Sequence, residues 1–465
     1  MNPPMHPKAG RPLLVLLLCA AGFLGCQPQR DPNVLILVID ALRPDHLGCY
    51  GSTLDTSPTI DALARRGVLF ADATSASSYT RAAVPSIFAS VYPGAHGVLS
   101  QGRQVETLSD EYVTLAETLK ARGYVTAAFA PNPSLHRSFH FDQGFDLYDD
   151  DFQLGSGSAP EDYETARKMN DRTLRWLRGN RGKPFFAYLH YRDVHAPYIP
   201  PPPYDGRFKR SGERRQLTTA EYRSQPSDIR GPRRYQDLDS YVEQYDGEIR
   251  YTDDHLARLL DTLSKEGYLD NTVIFLTADH GESFLEHGSW THGTGLYQEL
   301  THVPLLLVLP GEKHAGKRVE VPVQTTDIYP SILEILKTEI PAELQGKSLF
   351  DAIEGRADPN RPVFSEALVN RRLRPENFGQ LVAVRAGGWK LIYNRTRHSA
   401  ELYHLAEDPA ETRDLTAQQP ERARDLLRLI AAQDRDNAPR SHRTQGNEAL
   451  PKDVVEGLRS LGYVQ

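Results

Sequence analysis

Carboxylate and imidazole groups stand at two places in the chain where an apolar strand is predicted to end. Asp40 directly follows the run Asn33-Val-Leu-Ile-Leu-Val-Ile39, and Asp279 and His280 follow Leu276-Thr-Ala. Asp and His side chains that meet at one edge of a sheet suit a hard or borderline divalent cation. The same residues could instead cap a strand-to-helix turn, so neither motif alone identifies a site.

A second chemical signal is a segment dense in small hydroxyl residues, Ser77-Ser-Tyr-Thr-Arg-Ala-Ala-Val-Pro-Ser86. The segment is predicted to open a helix, and a helix N-terminus attracts anions. A nucleophilic hydroxyl placed there would face a phosphate or sulfate group. Ser and Thr are also good helix caps, so this signal too needs support from elsewhere in the chain.

The elements that must position these groups alternate along the chain. The uninterrupted apolar run before Asp40 is typical of a central parallel strand buried on both faces. Similar runs recur between helical stretches, and this alternation predicts an α/β fold: a large, doubly wound, mostly parallel sheet with helices on both faces. Strands are predicted at Val125–Ala130, Phe185–Leu189, Val273–Thr277 and Pro304–Leu309, and helices at Thr56–Gly67, Leu115–Arg122, Glu161–Arg178, Ser240–Lys265 and Ile328–Leu336.

The pattern changes after about residue 360. Short strands at Leu381–Arg385 and Lys390–Tyr393, with Gly387-Gly388 between them, predict a hairpin. With a further strand at Leu402–Leu405 and a helix at Glu421–Asp434, they predict a small antiparallel α+β subdomain over residues 361–440. A catalytic domain is expected over residues 32–360 and a tail over residues 441–465. The proline-rich stretch 198–235 is predicted to be a long surface loop, which either borders the active site or is a variable insertion.

Composition and the N-terminus bear on partners and location. The formal net charge of -7 gives no basic surface for nucleic acid. Lys8 and Arg11 precede the apolar run Pro12–Gly25, which is typical of a secretory signal and too short to span a bilayer. The following Cys26 makes residues 1–25 resemble a bacterial lipoprotein signal, although a plain secretory signal is the alternative. We therefore expect export to the periplasm or cell surface, with a lipid anchor on Cys26.

Several motifs in sequence order identify a family resemblance. The segment Asp40-Ala-Leu-Arg-Pro-Asp-His-Leu-Gly-Cys-Tyr-Gly51 closely resembles the opening motif of the sulfatases, a branch of the alkaline-phosphatase superfamily. The order and spacing of matching segments hold from about residue 32 to 415. Further matching segments are Pro58–Phe70, His195–Tyr198, Thr277–Glu282, His292–Glu299, Val303-Pro304, Thr326–Pro330, Gln345–Leu349 and Leu402–Pro409.

The resemblance implies a nucleophile and one divalent cation. Family sulfatases have a Cys-x-Pro-Ser-Arg motif at a fixed distance before a Tyr-Pro pair, and they convert its Cys or Ser to formylglycine. Counting back from Tyr92-Pro93 places Thr80 at that position, and threonine cannot be converted. The resemblance makes Asp40, Asp279 and His280 ligands of the cation, with Thr80 completing the set. The cation is calcium by family, with manganese, magnesium or zinc as alternatives.

Other positions follow the family or depart from it. His195 and His292 match family substrate-binding positions; one would protonate the leaving group and the other would bind a non-bridging oxygen. The family's Arg position holds Val84, so the anion contact expected there is missing, and Arg81 is a separate candidate anion contact. The family's Gly-Lys-x-His segment is absent, and Asn132 in the corresponding stretch is a candidate substrate contact. Glu282 is expected to hold His280, and many sulfatases have a second Asp where Ala41 stands.

The resemblance implies a hydrolase of sulfate or phosphate esters that acts through a covalent intermediate. A formylglycine hydrate expels sulfate through its second hydroxyl, which a sulfated threonine lacks, so the chemistry of Thr80 slightly favours a phosphoryl-type ester. The expected substrate is a small-molecule, glycan or lipid ester. Two alternatives remain: a transferase of phosphorylated head groups, and a catalytically inactive binding lipoprotein.

Overall fold

The computed structural model describes Met1 and residues 30–99, 106–151, 166–225, 235–370, 378–442, 444–445 and 450–460. Pro32–Gln465 form one unit, and Met1–Asp31 form another. The predicted signal run and Cys26 lie outside the described residues. Within the part of the chain that is described, no helix has the length and apolar character needed to cross a membrane.

The strands are numbered in chain order. They are β1 Asn33–Ile39, β2 Val68–Thr74, β3 Glu106–Thr107, β4 Val125–Phe129, β5 Leu147–Asp149, β6 Phe185–Tyr191, β7 Thr272–Thr277, β8 His302–Val308, β9 Lys317–Val319, β10 Val323–Gln324, β11 Val363–Val369, β12 Gly379–Ala386, β13 Trp389–Asn394, β14 Ser399–His404 and β15 Thr444–Gln445.

The helices are numbered in the same way. They are α1 Pro58–Arg66, α2 Thr80–Ala89, α3 Pro93–His96, α4 Leu115–Ala121, α5 Ala166–Gly179, α6 Thr219–Ser224, α7 Leu238–Lys265, α8 Gln298–Thr301, α9 Ile328–Ile335, α10 Phe350–Ile353, α11 Pro420–Asn437 and α12 Lys452–Ser460.

The large sheet confirms the predicted α/β architecture. In the described residues it has nine strands in the order β10-β2-β8-β7-β1-β6-β4-β5, with β9 beside β2. Only β8 runs antiparallel to its neighbours β7 and β2. Helices α1 and α5 pack on α7, while α4 and α9 pack on α2. Strand β1 lies in the middle and is buried almost throughout, as its continuous apolar sequence requires.

The smaller sheet is antiparallel, with strand order β11-β12-β13-β14, and α11 packs on β12 and β13. The predicted hairpin between β12 and β13 turns at Gly387 and Gly388, which have φ of 58° and 78°. Two consecutive residues with positive φ form the two-residue turn that matches the twist of a hairpin, and glycine adopts this conformation without strain. Strand β11 was not predicted from the sequence.

The stretch 198–235 is not entirely a loop. It contains helix α6, which follows the N-cap residue Thr218. The side chains of Thr218 and Glu221 form a capping box, each accepting a hydrogen bond from the other residue's backbone N–H. The Trp290 indole donates to the Glu221 carbonyl oxygen at 3.2 Å. Because Trp290 lies two residues before His292, this stretch borders the region of the predicted site.

Candidate active site

The two strand-end carboxylates are placed by the register of the large sheet. Val38 of β1 pairs with Thr277 of β7, and both strands run in the same direction. Asp40 and Asp279 each lie two residues beyond this pair, and side chains two residues apart on a strand lie on the same face. The two carboxylates therefore emerge side by side at the carboxyl edge of the sheet, and both are fully buried.

Thr80 reaches the same place from helix α2, of which it is the first residue. The loop before it is held in place by two contacts: the Ser75 hydroxyl donates to the Asp279 carbonyl, and the Gly293 N–H donates to the Ser78 carbonyl at 2.8 Å. Thr80 is fully buried, and its Oγ1 lies 3.1 Å from Nε2 of His280. The predicted nucleophile is thus at a helix N-terminus, where backbone N–H groups favour a bound anion.

The His280 ring presents a lone pair to the centre of this cluster. Its Nδ1 lies 2.8 Å from the Gly281 carbonyl oxygen, to which it can only donate, so Nε2 carries no proton when the ring is neutral. Nε2 lies 3.5 Å from both Asp40 Oδ1 and Asp279 Oδ2. The ligand atoms of Asp40, Asp279 and His280 lie within 4.8 Å of one another.

Each carboxylate has one oxygen that accepts hydrogen bonds and one that does not. Asp40 Oδ2 faces Asn132 Nδ2 at 2.8 Å and His190 Nε2 at 3.2 Å. Asp279 Oδ1 accepts from the backbone N–H groups of Ala41 at 3.3 Å and His280 at 3.0 Å. Asp40 Oδ1 and Asp279 Oδ2 are buried without a hydrogen-bond donor among the described residues. Since buried acceptors are rarely left unsatisfied, these two oxygens fit ligands of a divalent cation.

The pKa shifts of the two carboxylates are consistent with a cation bound between them. Burial acts to raise the pKa of Asp40, but the imidazoles of His195, His190 and His280 outweigh it and hold that pKa below its ordinary value. Burial and the charge of Asp40 raise the pKa of Asp279. Two carboxylates at this depth repel each other and are poorly solvated, so a cation between them would stabilise both.

His195 and His292 lie together beside this cluster. Their ring centroids are 4.7 Å apart, and the His292 ring lies 4.2 Å from that of His280. Burial lowers the pKa of His195 to about 4, and it lowers that of His292 well below the ordinary value. Burial therefore favours the neutral form of both rings in the free protein. The structure thus brings Asp40, Thr80, His195, Asp279, His280 and His292 into one cluster.

Glu282 has a different partner from the one expected. Its Oε1 lies 3.1 Å from Nδ1 of His292, whereas Nδ1 of His280 faces the Gly281 carbonyl. The expectation that Glu282 holds His280 is therefore wrong. The second oxygen of Glu282 accepts from the Tyr198 hydroxyl at 2.7 Å, and burial raises the pKa of Glu282 to about 7. A carboxylate on Nδ1 fixes the orientation of the His292 ring.

The two candidate substrate contacts have partners within the protein. Asn132 donates to Asp40 and accepts from the Ser134 N–H at 2.8 Å, which makes it a support of the carboxylate. The Arg81 guanidinium lies 4.0 Å from the Phe139 ring centroid, a cation–π contact in a fully buried position. Direct contact of Asn132 or Arg81 with a substrate stays a prediction.

His190 was missed by the sequence analysis. It is the one imidazole within the otherwise apolar and aromatic strand β6, and it is fully buried. Its Nε2 lies 3.2 Å from Asp40 Oδ2 and 3.9 Å from Asp279 Oδ2, and its Nδ1 lies 3.0 Å from the Tyr188 hydroxyl. The sequence feature that could have identified His190 as a site residue is an ionisable side chain at the carboxyl end of a predicted central strand.

Known proteins resemble this chain in sequence and fold. A family model described as Sulfatase matches residues 32–338, and one described as N-sulphoglucosamine sulphohydrolase, C-terminal, matches residues 286–431. The chain is 23% identical to an N-acetylglucosamine-6-O-sulfatase of Bacteroides thetaiotaomicron, over 93% of each chain.

Two solved structures share the fold. One is a protein in complex with its substrate D-glucosamine-2-N,6-O-disulfate, with a TM-score of 0.71 and 20% identity over 89% of this chain and 100% of that one. The other is a phosphonate monoester hydrolase of Agrobacterium radiobacter, with a TM-score of 0.71 and 22% identity over 87% of this chain and 96% of that one.

Proposed function

Because the chain belongs to the sulfatase family and is therefore an ester hydrolase, we propose that it cleaves phosphate or sulfate esters with Thr80 as the nucleophile. The observation that carries this proposal is the position of the Thr80 hydroxyl. It lies at the start of α2 and 3.1 Å from His280, beside two buried carboxylates. A threonine that served only as a helix cap would not need to lie beside these three groups.

Asp40, Asp279 and His280 are the residues that would hold one divalent cation, with the Thr80 hydroxyl next to them. When bound, the cation would lower the pKa of that hydroxyl and attract the negative oxygens of the ester. The protein's part is to hold the four groups in place before substrate arrives. Asn132, His190, the Ala41 N–H and the His280 N–H do this by fixing one oxygen of each carboxylate.

In the proposed reaction, Thr80 Oγ forms a bond to phosphorus or sulfur while the bond to the leaving alcohol breaks. His292, whose ring is oriented by Glu282, takes the proton that Thr80 loses and passes it to the leaving alcohol. His195 binds a non-bridging oxygen of the ester in its protonated form, since its Nδ1 faces the Ala196 carbonyl oxygen at 2.6 Å and only a protonated Nε2 can donate. The negative charge of the ester favours this form. Water then attacks the covalent intermediate, and one of its protons restores the Thr80 hydroxyl. The product is inorganic phosphate from a monoester, a phosphate monoester from a diester, or sulfate from a sulfate ester.

The role of His292 predicts a leaving-group effect in a Glu282→Gln variant. The variant removes the charge that would stabilise a protonated His292, so kcat for an alkyl ester should fall about 100-fold. For a nitrophenyl ester, whose leaving group departs without protonation, the fall should be much smaller. The measurement is kcat for a series of esters whose leaving alcohols differ in pKa.

The matched control for this prediction is Tyr198→Phe, which removes only the hydroxyl that donates to the other oxygen of Glu282. It leaves the carboxyl group on His292, so at a pH above the pKa of Glu282 its kcat should stay within about tenfold of the wild type for every ester. An equal loss in Glu282→Gln for good and poor leaving groups would argue against proton donation by His292.

The chemistry of Thr80 favours a phosphoryl-type ester. A sulfated threonine has no second hydroxyl through which sulfate can be eliminated, so water must attack sulfur directly. A phosphorylated threonine is released by attack of water at phosphorus, a route that phosphoryl transfer commonly takes. We therefore expect higher kcat/KM for a phosphate monoester or diester than for the sulfate ester of the same alcohol.

The test is a paired assay of protein that lacks residues 1–25, with nitrophenyl sulfate, nitrophenyl phosphate and a nitrophenyl phosphodiester. Each substrate is offered with calcium, manganese, magnesium and zinc. Turnover that prefers a phosphoryl ester and requires Thr80 supports the proposal. Preference for the sulfate ester would overturn the phosphoryl assignment, and absence of both turnover and cation binding would favour a binding protein.

The N-terminal signal leads to a proposal about location. We propose that Cys26 carries a lipid that anchors the exported protein to a bacterial membrane. A Cys26→Ser variant should then move from the membrane fraction to the soluble fraction and lose labelling by a radioactive fatty acid. Retention of both properties would exclude lipidation at Cys26.

A further inference from the structure

Asp40 and Asp279 each offer the centre of the cluster only one oxygen. The other oxygen of each carboxylate faces two N–H groups, at distances from 2.8 to 3.3 Å. Binding a cation through both oxygens of one carboxylate would break these contacts. In this buried place, nitrogen donors left without their acceptor would lose free energy that water could not restore.

The position that could supply a third carboxylate holds Ala41. With one oxygen from each Asp, one imidazole nitrogen from His280 and one hydroxyl from Thr80, the described cluster presents four ligand atoms. Calcium takes about six to eight oxygen ligands and often binds carboxylates through both oxygens. Zinc prefers about four ligands that include imidazole nitrogen, and manganese also accepts imidazole with carboxylate.

His190 is the residue that restricts Asp40. Its ring is fixed inside strand β6, where it is fully buried, and the Tyr188 hydroxyl lies 3.0 Å from Nδ1. Nε2 then lies 3.2 Å from Asp40 Oδ2, on the side of the carboxylate that Asn132 also contacts. The two contacts hold the carboxylate plane so that Oδ1 alone faces His280, at 3.5 Å.

From this geometry we propose that His190, by holding Asp40 to a single available oxygen, makes the centre selective for a transition-metal cation such as zinc or manganese over calcium. The proposal rests on the proposed function in one respect, that a cation binds at Asp40, Asp279 and His280. The family resemblance implies that calcium is the bound cation. The proposed preference for zinc or manganese differs from this because of two residues, His190 and Ala41.

The test measures cation binding directly. Wild-type protein, freed of metal with a chelator, is dialysed against equal concentrations of calcium, manganese and zinc, and the bound metal is measured by mass spectrometry. Dissociation constants for each cation are measured by calorimetry. Zinc or manganese should fill one site per chain, while calcium should remain in solution.

Variants assign the selectivity to His190. His190→Ala should weaken zinc and manganese binding about 10- to 100-fold, as loss of a group that holds a ligand typically does. Calcium binding should stay unchanged or strengthen, because Asp40 can then use both oxygens. His190→Gln keeps an N–H donor for Asp40 Oδ2 and should restore most of the preference.

Two further variants keep the test decisive if His190→Ala fails to fold. Ala41→Asp adds a carboxylate at a residue with φ of 58°, a conformation that Asp tolerates better than most residues, and it should strengthen calcium binding. Tyr188→Phe removes only the hydroxyl beside Nδ1 and should keep the preference for zinc or manganese.

Each outcome has a separate meaning. Preferential binding of calcium by the wild type, or unchanged selectivity in both His190→Ala and Ala41→Asp, would overturn the role of His190 while leaving the proposed function intact. Failure of any cation to bind the wild type would overturn the proposed function itself, and this inference with it.

Discussion

Replacing Thr80 with alanine is expected to lower kcat/KM for every ester substrate by about 10⁴-fold or more, because the covalent route is lost with the nucleophile. The fold should be little affected, since alanine is a strong helix former and the change lies at the first residue of α2. Steady-state assays, with a melting curve for each variant, measure both effects.

Two variants control for this result. Thr80→Ser keeps a hydroxyl at the same position and should retain substantial turnover. Ser86→Ala removes another buried hydroxyl from the same helix, one that lies 3.1 Å from Nε2 of His96, and it should leave turnover nearly unchanged. Turnover by Thr80→Ala within tenfold of the wild type would contradict the nucleophilic role.

Replacing Asp279 with asparagine is expected to abolish cation binding and lower turnover by about 10³-fold, because one of the two anionic ligands is lost. A cation at 100 times its dissociation constant stabilises a folded protein by about 2.7 kcal/mol, and this gain should disappear in the variant. Without cation, the variant should be at least as stable as the wild type, because the repulsion between Asp40 and Asp279 is removed. Melting curves with and without chelator separate the two effects.

The matched control is Asp253→Asn. Asp253 is equally buried, but its carboxylate accepts hydrogen bonds from the backbone N–H groups of Thr59 and Ile60 at the start of α1. Its loss should lower stability with or without cation and leave the cation-dependent rise in melting temperature in place. A cation-dependent rise in Asp279→Asn equal to that of the wild type would show that Asp279 is not a ligand.

The two variants also distinguish failure of chemistry from failure of the cation site. Thr80→Ala should still bind a cation, with lower affinity, because Asp40, Asp279 and His280 remain. Asp279→Asn should lose both cation and turnover. A protein in which both variants lost only stability would have a structural cluster at this sheet edge and an active site elsewhere.

Local patterns in the sequence were enough to predict the framework of the site. The apolar run of β1 and the alternation of strands and helices predicted the doubly wound sheet, and the parallel direction of β1 and β7 brings Asp40 and Asp279 to the same edge. Gly387 and Gly388 predicted the β12–β13 hairpin. These features depend on the conformational preferences and burial of consecutive residues, so they can be recognised from one segment at a time.

The tertiary structure decided which side chains meet. His190 reaches Asp40 because β6 pairs with β1 in a register that sets His190 opposite Val38, and Glu282 meets His292 because the loop after β7 folds back on itself. The roles of these residues depend on the lateral register of strands about 150 residues apart and on the path of a loop. Neither is encoded in a local pattern, because register and loop path are fixed only when the whole core packs together.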